Sequence, residues 1–158
     1  MSSRSADAAA PGEASSFLLL ASSAAVERLK LESLLSLYRP GFGDKPGHLY
    51  SQEPYLGEGL DKAVKQSLQY SNGSNIHTIY SSMNGESFWS KELGVSMTRN
   101  NEGFTESVLT EHPADCYGDI GAASSLAMLN SMSMGKPGYS LCTASSDHSY
   151  RAAMVVRK

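Results

Sequence analysis

The chain has 158 residues, 41% of them hydrophobic and 18% charged, with a formal net charge of -3. That length suits one domain with its own core, and the small negative balance, with no block of Lys or Arg, argues against a nucleic-acid groove or an anionic membrane surface as the place of action. Two cysteines, Cys116 and Cys142, are too few for a disulfide framework and are expected as reduced thiols in a cytoplasmic protein.

Residues 1–12 (MSSRSADAAAPG) are small and polar, and are expected to form a disordered tail ahead of a domain at 13–158. The apolar run FLLLASSAAV at 17–26 is too short to span a bilayer. Asp7 and Glu13 between Arg4 and the run argue against a signal peptide, although Ala21, Ser23 and Ala25 imitate a cleavage site. Phe17 to Ala21 is read as a buried strand, Ala24 to Leu31 as a short helix or a loop-crossing segment, and Leu34 to Tyr38 as a second strand. Pro40-Gly41, Gly43 and Pro46-Gly47 predict a loop after it.

Gly57 to Tyr70 is the clearest helix, because Leu60, Ala63, Val64 and Leu68 share one face and Asn72-Gly73 stops it. A strand is predicted over Ile76 to Ser82, a turn at Asn84-Gly85, a helix over Ser87 to Met97 and a short strand over Ser107 to Thr110. Gly118 to Met132 is expected as a third helix with a face of small residues. Tyr139 to Ala144 and Ala152 to Val156 close the chain as a hairpin around Asp147-His148-Ser149. Strands and helices that alternate until a terminal hairpin predict an α/β layered domain.

Four segments resemble, in order, the C-terminal half of β-ketoacyl synthases of the thiolase superfamily. EASSFLLLASSAAVERL is similar to the stretch leading into a buried strand of that half. GEGLDKAVKQSLQYSNGSNIHTIYSSMNGE resembles the helix, the strand and the loop that in the family reads His-Gly-Thr-Gly-Thr, and Ser82-Met83-Asn84-Gly85-Glu86 stand at those positions. Gly118-Asp119-Ile120-Gly121-Ala122-Ala123-Ser124 matches the Gly-Asn-Thr-Ser-Ala-Ala-Ser element of the synthase III branch at four of seven positions. TASSDHSYRAAMVVRK falls where the family has a glycine-rich loop before its last strand. The resemblance implies a thiolase-like half-fold, a mixed sheet packed with helices, without the half that carries the nucleophilic cysteine.

It also implies an altered site. The two family-equivalent catalytic positions are held by Ser82 and Asp119, where ketosynthases use His, or His and Asn, to stabilise an oxyanion and promote decarboxylation. A serine hydroxyl is a neutral donor and does not serve as a base near neutral pH. An ionised aspartate only accepts, and repels both a developing oxyanion and a malonyl carboxylate. Burial and protonation would turn Asp119 into a donor; the plainer reading is a cap on the helix that starts near Ile120. His148, in the closing loop, is the one histidine expected near the family's cleft.

Other clusters carry less. Glu111, His112, Asp115 and Cys116 contain the residue types of a nucleophilic triad, but crowding around Pro113 favours a buried, inert Cys116. His77 is read as a strand-face residue, and His48 as part of a loop. The four histidines and two cysteines show no metal-ligand spacing, and Gly57-Glu58-Gly59 lacks the GK[ST] of a phosphate loop, so neither a metal nor a cofactor is expected. Phe88 and Trp89 read as core, and Glu86 as an ordinary first-turn residue.

The functional expectation is a non-catalytic β-ketoacyl-synthase-like module acting through a protein partner or self-association. In the family the helix at Gly121, Ala122 and Ser125 lies in a layer shared by two halves, and alone it would leave Met128, Met132 and Met134 partly exposed. The alternative is one half of a split 3-oxoacyl synthase or acyltransferase, with acyl-CoA or an acyl carrier protein as substrate and a cysteine supplied by another chain. A truncated product without a role, insoluble alone, is a third reading. The resemblance further points to bacterial accessory proteins encoded beside secretion systems.

Overall fold

The computed structural model describes residues 9–44, 56–73 and 75–158; the predicted loop at Pro46-Gly47, with His48, lies outside them. In chain order the elements are α1 (Ser23–Leu29), β1 (Ser36–Leu37), β2 (Gly41–Gly43), α2 (Glu58–Tyr70), β3 (Ile76–Ser81), α3 (Ser87–Arg99), β4 (Phe104–Glu111), α4 (Ala114–Tyr117), α5 (Ser124–Met134), β5 (Tyr139–Ser145) and β6 (Arg151–Arg157). The strands form one six-stranded mixed sheet in the order β1-β6-β5-β3-β4, with β2 also paired to β6. β3 is parallel to both β4 and β5, whereas β5 and β6 form the antiparallel hairpin.

The alternation of side chains along the strands divides the core in two. Leu141 and Val155 join Leu60, Ala63, Val64, Ile79 and Leu93 on the face covered by α2 and α3. Cys142 and Val156 join Met128, Leu129 and Met132 under α5 on the other face. β3 and the strands flanking it are linked by crossovers on opposite faces, α3 toward β4 and α5 toward β5. That makes β3 the switch point of the sheet, and in open α/β sheets a cleft forms at the carboxyl ends of strands at such a point.

The predicted α2, β3, α3, β5 and β6 stand within a few residues of their sequence bounds, and the mixed, helix-covered sheet agrees with the expected half-fold. Several local expectations are corrected. Phe17 to Ala21 is no buried strand: Phe17, Leu19 and Leu20 are 88%, 93% and 72% exposed. The outer edge of β6 is already taken by β1 and β2, so this segment lies beside α5 instead. There Leu18 packs on the methionine cluster and Asn130 Nδ2 donates to Ser16 Oγ at 2.6 Å. The tail expected at 1–12 is described only from residue 9, and Asp119 N–H donates to Ala10 O at 2.7 Å while Gly12 N–H donates to Asp119 O at 2.9 Å.

Pro40-Gly41 does not open a loop; Gly41 to Gly43 pair with Arg151 to Ala153. Glycine is required here by proximity. A Cβ on Gly41 would lie 2.1 Å from Ala63 O, and one on Gly43 would lie 2.0 Å from Gly59 O. β2 therefore lies with its backbone directly on α2. The third helix starts later than expected, because Gly118 has φ +73 and Gly121 to Ala123 form a 3-10 turn before α5. Met128 and Met132 are buried, at 1% and 3% exposure, since that side of α5 faces the sheet; Met134, at 79%, is exposed as expected.

Two substitutions at glycine separate proximity from flexibility. Gly41→Val is expected to force β2 off α2 and cost about 2–3 kcal/mol by urea unfolding. Gly94→Ala, in the middle of α3 with nothing within 4 Å of the new methyl group, is expected to stabilise the fold by about 0.5–1 kcal/mol in the same assay.

Candidate functional site

The carboxyl ends of β3, β4 and β5 converge. Ser82 follows β3, the segment Pro113 to Asp119 follows β4, and Ser145 ends β5; Ser82, Asp119 and Ser145-Ser146, with β2 and the start of α5, line an open cleft of about 960 Å³, while Pro113, Ala114, Tyr117 and Gly118 line a separate small crevice against Ser81 and Ser82. Ser82 and Asp119, far apart in sequence, both line the cleft, as do Gly121, Ala122 and Ser125 of the small-residue segment. His148 is exposed and does not line it; its loop neighbours Asp147 and Tyr150 do.

Backbone pairing fixes Ser82. Its N–H donates to Thr143 O at 3.1 Å, which extends the β3–β5 ladder by one residue, and its Oγ accepts Ser145 N–H at 3.1 Å. Asp119 is held at every polar atom. Its main chain is clasped by residues 10–12. Its Oδ1 accepts Gly121 N–H at 2.8 Å, and its Oδ2 accepts Asn84 Nδ2 at 2.9 Å. This corrects the capping reading: the N-cap residues of the 3-10 turn and of α5 are Ile120 and Ala123, neither with a side-chain cap, and Asp119 Oδ1 instead accepts the N–H two residues on, in the turn that leads into them. The sequence reading missed the other partner. Asn84 is the turn residue after β3, and only the packing of that turn against the β4–α5 connection brings the two together. Asn84 Oδ1 in turn accepts Glu86 N–H at 3.3 Å.

One wall rests on a buried ion pair that the sequence reading also missed. Arg151 Nε donates to Glu92 Oε1 at 2.6 Å, and both side chains are only 2% exposed. Ser145 Oγ donates to Glu92 Oε2 at 3.0 Å. Arg151 Nη1 donates to the carbonyl oxygens of Ser146, His148 and Tyr150 at 2.8, 2.7 and 3.0 Å, and the guanidinium lies 5.2 Å from the centre of the Trp89 ring. Trp89 Nε1 donates to Glu86 Oε2 at 2.8 Å. Glu86 is thus the anchor of Trp89, and it stands at the N-cap of α3 in extended conformation rather than in the first turn. Trp89, 5% exposed, is core on one side and cleft wall on the other.

No thiol lines the cleft. Cys142 is buried beneath α5, and burial pushes its thiol from 9.0 to about 12. Cys116 corrects the expectation of burial: it is exposed on α4, a four-residue helix whose other side meets the Ser82 strand end. His112 Nδ1 and His77 Nε2 are buried without a hydrogen-bond partner, the latter beside Gly138. Among the described residues no three His, Cys, Asp or Glu side chains group as a metal site, and no helix is long and apolar enough to cross a membrane.

No protein-family model matches the sequence, and no curated protein matches it. Solved structures do share its fold. A type II polyketide synthase acyl-carrier protein in complex with its ketosynthase bound to the hexaketide matches with a TM-score of 0.73 and 10% identity, over 86% of this chain and 41% of that one. The ishigamide ketosynthase/chain length factor matches with a TM-score of 0.73 and 9% identity, over 86% and 41%. An oxazolomycin ketosynthase domain of Streptomyces albus JA3453 matches with a TM-score of 0.71 and 10% identity, over 85% and 47%. The chain therefore has the fold of a ketosynthase half-domain, of the thiolase-like class, and spans less than half the length of these relatives.

Removing one partner of the buried pair leaves the other charged and dry. Arg151→Met is expected to cost about 3–5 kcal/mol in urea unfolding, with the Glu92→Leu, Arg151→Met double variant costing clearly less than the single change. The two thiols are expected to separate in a labelling experiment with an aromatic disulfide: Cys116 reacts in the native protein and Cys142 only on unfolding. Because the folded value of Cys142 is raised from 9.0 to about 12, its contribution to stability is intact below pH 9 and is lost as pH rises toward 12; urea midpoints across that range measure the decline.

Proposed function

We propose that this half-domain is a ketosynthase-like module that works by pairing with a protein partner and does not itself condense acyl groups. The observation that carries the reading is the Asp119 carboxylate. At the position where the resemblance puts a hydrogen-bond donor, both carboxylate oxygens accept hydrogen bonds, from Gly121 and Asn84. A developing oxyanion or a malonyl carboxylate placed there would meet negative charge where it needs donors. Ser82 offers only a hydroxyl whose oxygen already accepts from Ser145, and neither cysteine reaches the cleft.

Association is supported by the outer side of α5. Phe17, Leu19, Leu20 and Met134 are each more than 70% exposed there, Leu126 is 37% exposed, and Gly121 and Ala122 present no bulk. An apolar surface of this kind marks an interface. The neighbouring folds include an acyl-carrier protein in complex with its ketosynthase and a ketosynthase/chain length factor, so a protein partner suits the class. Free thiols, one of them exposed, fit a reducing, cytoplasmic setting.

Two measurements on the purified chain test the proposal. Incubation with octanoyl-CoA is expected to leave its mass unchanged, and sedimentation is expected to show a species heavier than the monomer that Leu19→Asp with Leu126→Asp dissociates. A covalent octanoyl adduct formed by the chain alone, and lost on Asp119→Ala, overturns it. An adduct that appears only with a second, cysteine-bearing chain replaces it with the split acyltransferase.

A further inference from the structure

β4 stands at one end of the sheet, and its only strand partner is β3. Among the described residues, no backbone group of Phe104–Glu111 bonds to anything outside that ladder. Glu106, Ser107, Leu109 and Glu111 are exposed along it, Leu109 at 50%, while Val108 packs on the core. Such an edge presents a row of unmet N–H and C=O groups, which proteins commonly blunt with lysine or proline. β4 holds neither. Its register against β3 shifts between Ile76 and Thr78 and is regular from Leu109 to Glu111.

The edge is also acidic. From residue 100 to 135 the chain carries Glu102, Glu106, Glu111, Asp115 and Asp119, and no Lys or Arg. Neither Glu106 nor Glu111 forms an ion pair with a described residue. We infer that the free edge of β4 is a docking site for an extended, lysine-rich segment of a partner protein, which joins the sheet as a further strand. Backbone pairing supplies the attachment, and the two carboxylates select the charge. On an added strand that alternates apolar and basic residues, one set lies beside Val108 and the other beside Leu109 and Glu111. A second copy of this chain suits the edge less, because two β4 strands side by side bring four carboxylates together with no cation among them. β4 is not part of the α5 surface assigned above to pairing, so this inference goes beyond that reading.

The probes are short peptides of alternating lysine and valine, with counterparts that carry glutamate for lysine or proline for valine. Each bears a fluorophore, and anisotropy follows its binding to the full chain. The lysine–valine peptide is expected to bind at least ~10-fold more tightly than either counterpart at low salt, and to lose most of its advantage over the glutamate peptide in about 1 M salt. Glu106→Gln with Glu111→Gln is expected to weaken its binding by ~10-fold at an unchanged thermal midpoint. Hydrogen exchange is expected to find alternate amides from Ser107 to Glu111 unprotected in the free chain and slowed by the peptide. Protection of those amides without peptide overturns the inference, because another part of this chain or a second copy then covers the edge. Equal binding of the lysine and glutamate peptides overturns it as well. So does equal binding of the valine and proline peptides, which is charge attraction without a strand. Leu19→Asp with Leu126→Asp is expected to leave peptide binding unchanged, so this inference and pairing through α5 fail separately.

Discussion

The Glu92–Arg151 pair is the interaction on which the working end of this molecule depends. Two opposite charges are held at 2.6 Å with almost no water around them. Such a pair is tolerable only when every remaining donor and acceptor is met, because desolvating the ions costs as much as their attraction returns. The neighbourhood is arranged accordingly: Ser145 serves the second carboxylate oxygen, three loop carbonyls serve the guanidinium, and Trp89 covers its face. The pair therefore joins α3 to the start of β6 and gives the β5–β6 loop its shape. That loop is the wall from which Asp147 and Tyr150 reach the cleft.

A second constraint acts from the other side. Because Gly41 and Gly43 bring β2 onto the backbone of α2, the edge of the sheet lies low, and Phe42 between them turns outward into the cleft. Asp61 reinforces this layer: Asn100 Nδ2 donates to it at 2.8 Å and the Arg99 guanidinium lies 3.7 Å from it, which joins α2 to the end of α3. β2 on α2 thus bounds one side of the cleft, and Ser82 and Ala144-Ser145 at the ends of β3 and β5 line another.

The two faces of the sheet are unequal. α2, with Leu93 of α3, packs on one side. The other carries α5 and the extended segment near Leu18, with apolar side chains pointing away from both. In the structures that share the fold, this chain corresponds to less than half of the polypeptide. The exposed side and the small residues that open the cleft are continuous through Gly121 and Ala122.

The sequence by itself determined the elements whose signal is local. The spacing of Leu60, Ala63, Val64 and Leu68 specifies α2, the apolar run after Asn72-Gly73 specifies β3, and the order of four motifs indicates a thiolase-like half-fold. Ser82 and Asp119 were named through the resemblance, as the residues standing at the family's two catalytic positions. Tertiary structure decided everything that needs a partner distant in the chain. The apolar run at 17–21 has strand composition but no free edge to join. Gly41 to Gly43 resemble a loop until α2 lies against them. Glu92, Arg151 and Asn84 were silent because an ion pair across 59 residues, or a turn amide bonded to a carboxylate 35 residues away, leaves no periodicity to read. Hydrophobic patterning reports which side of a segment is buried; the identity of what buries it is set only when the sheet closes.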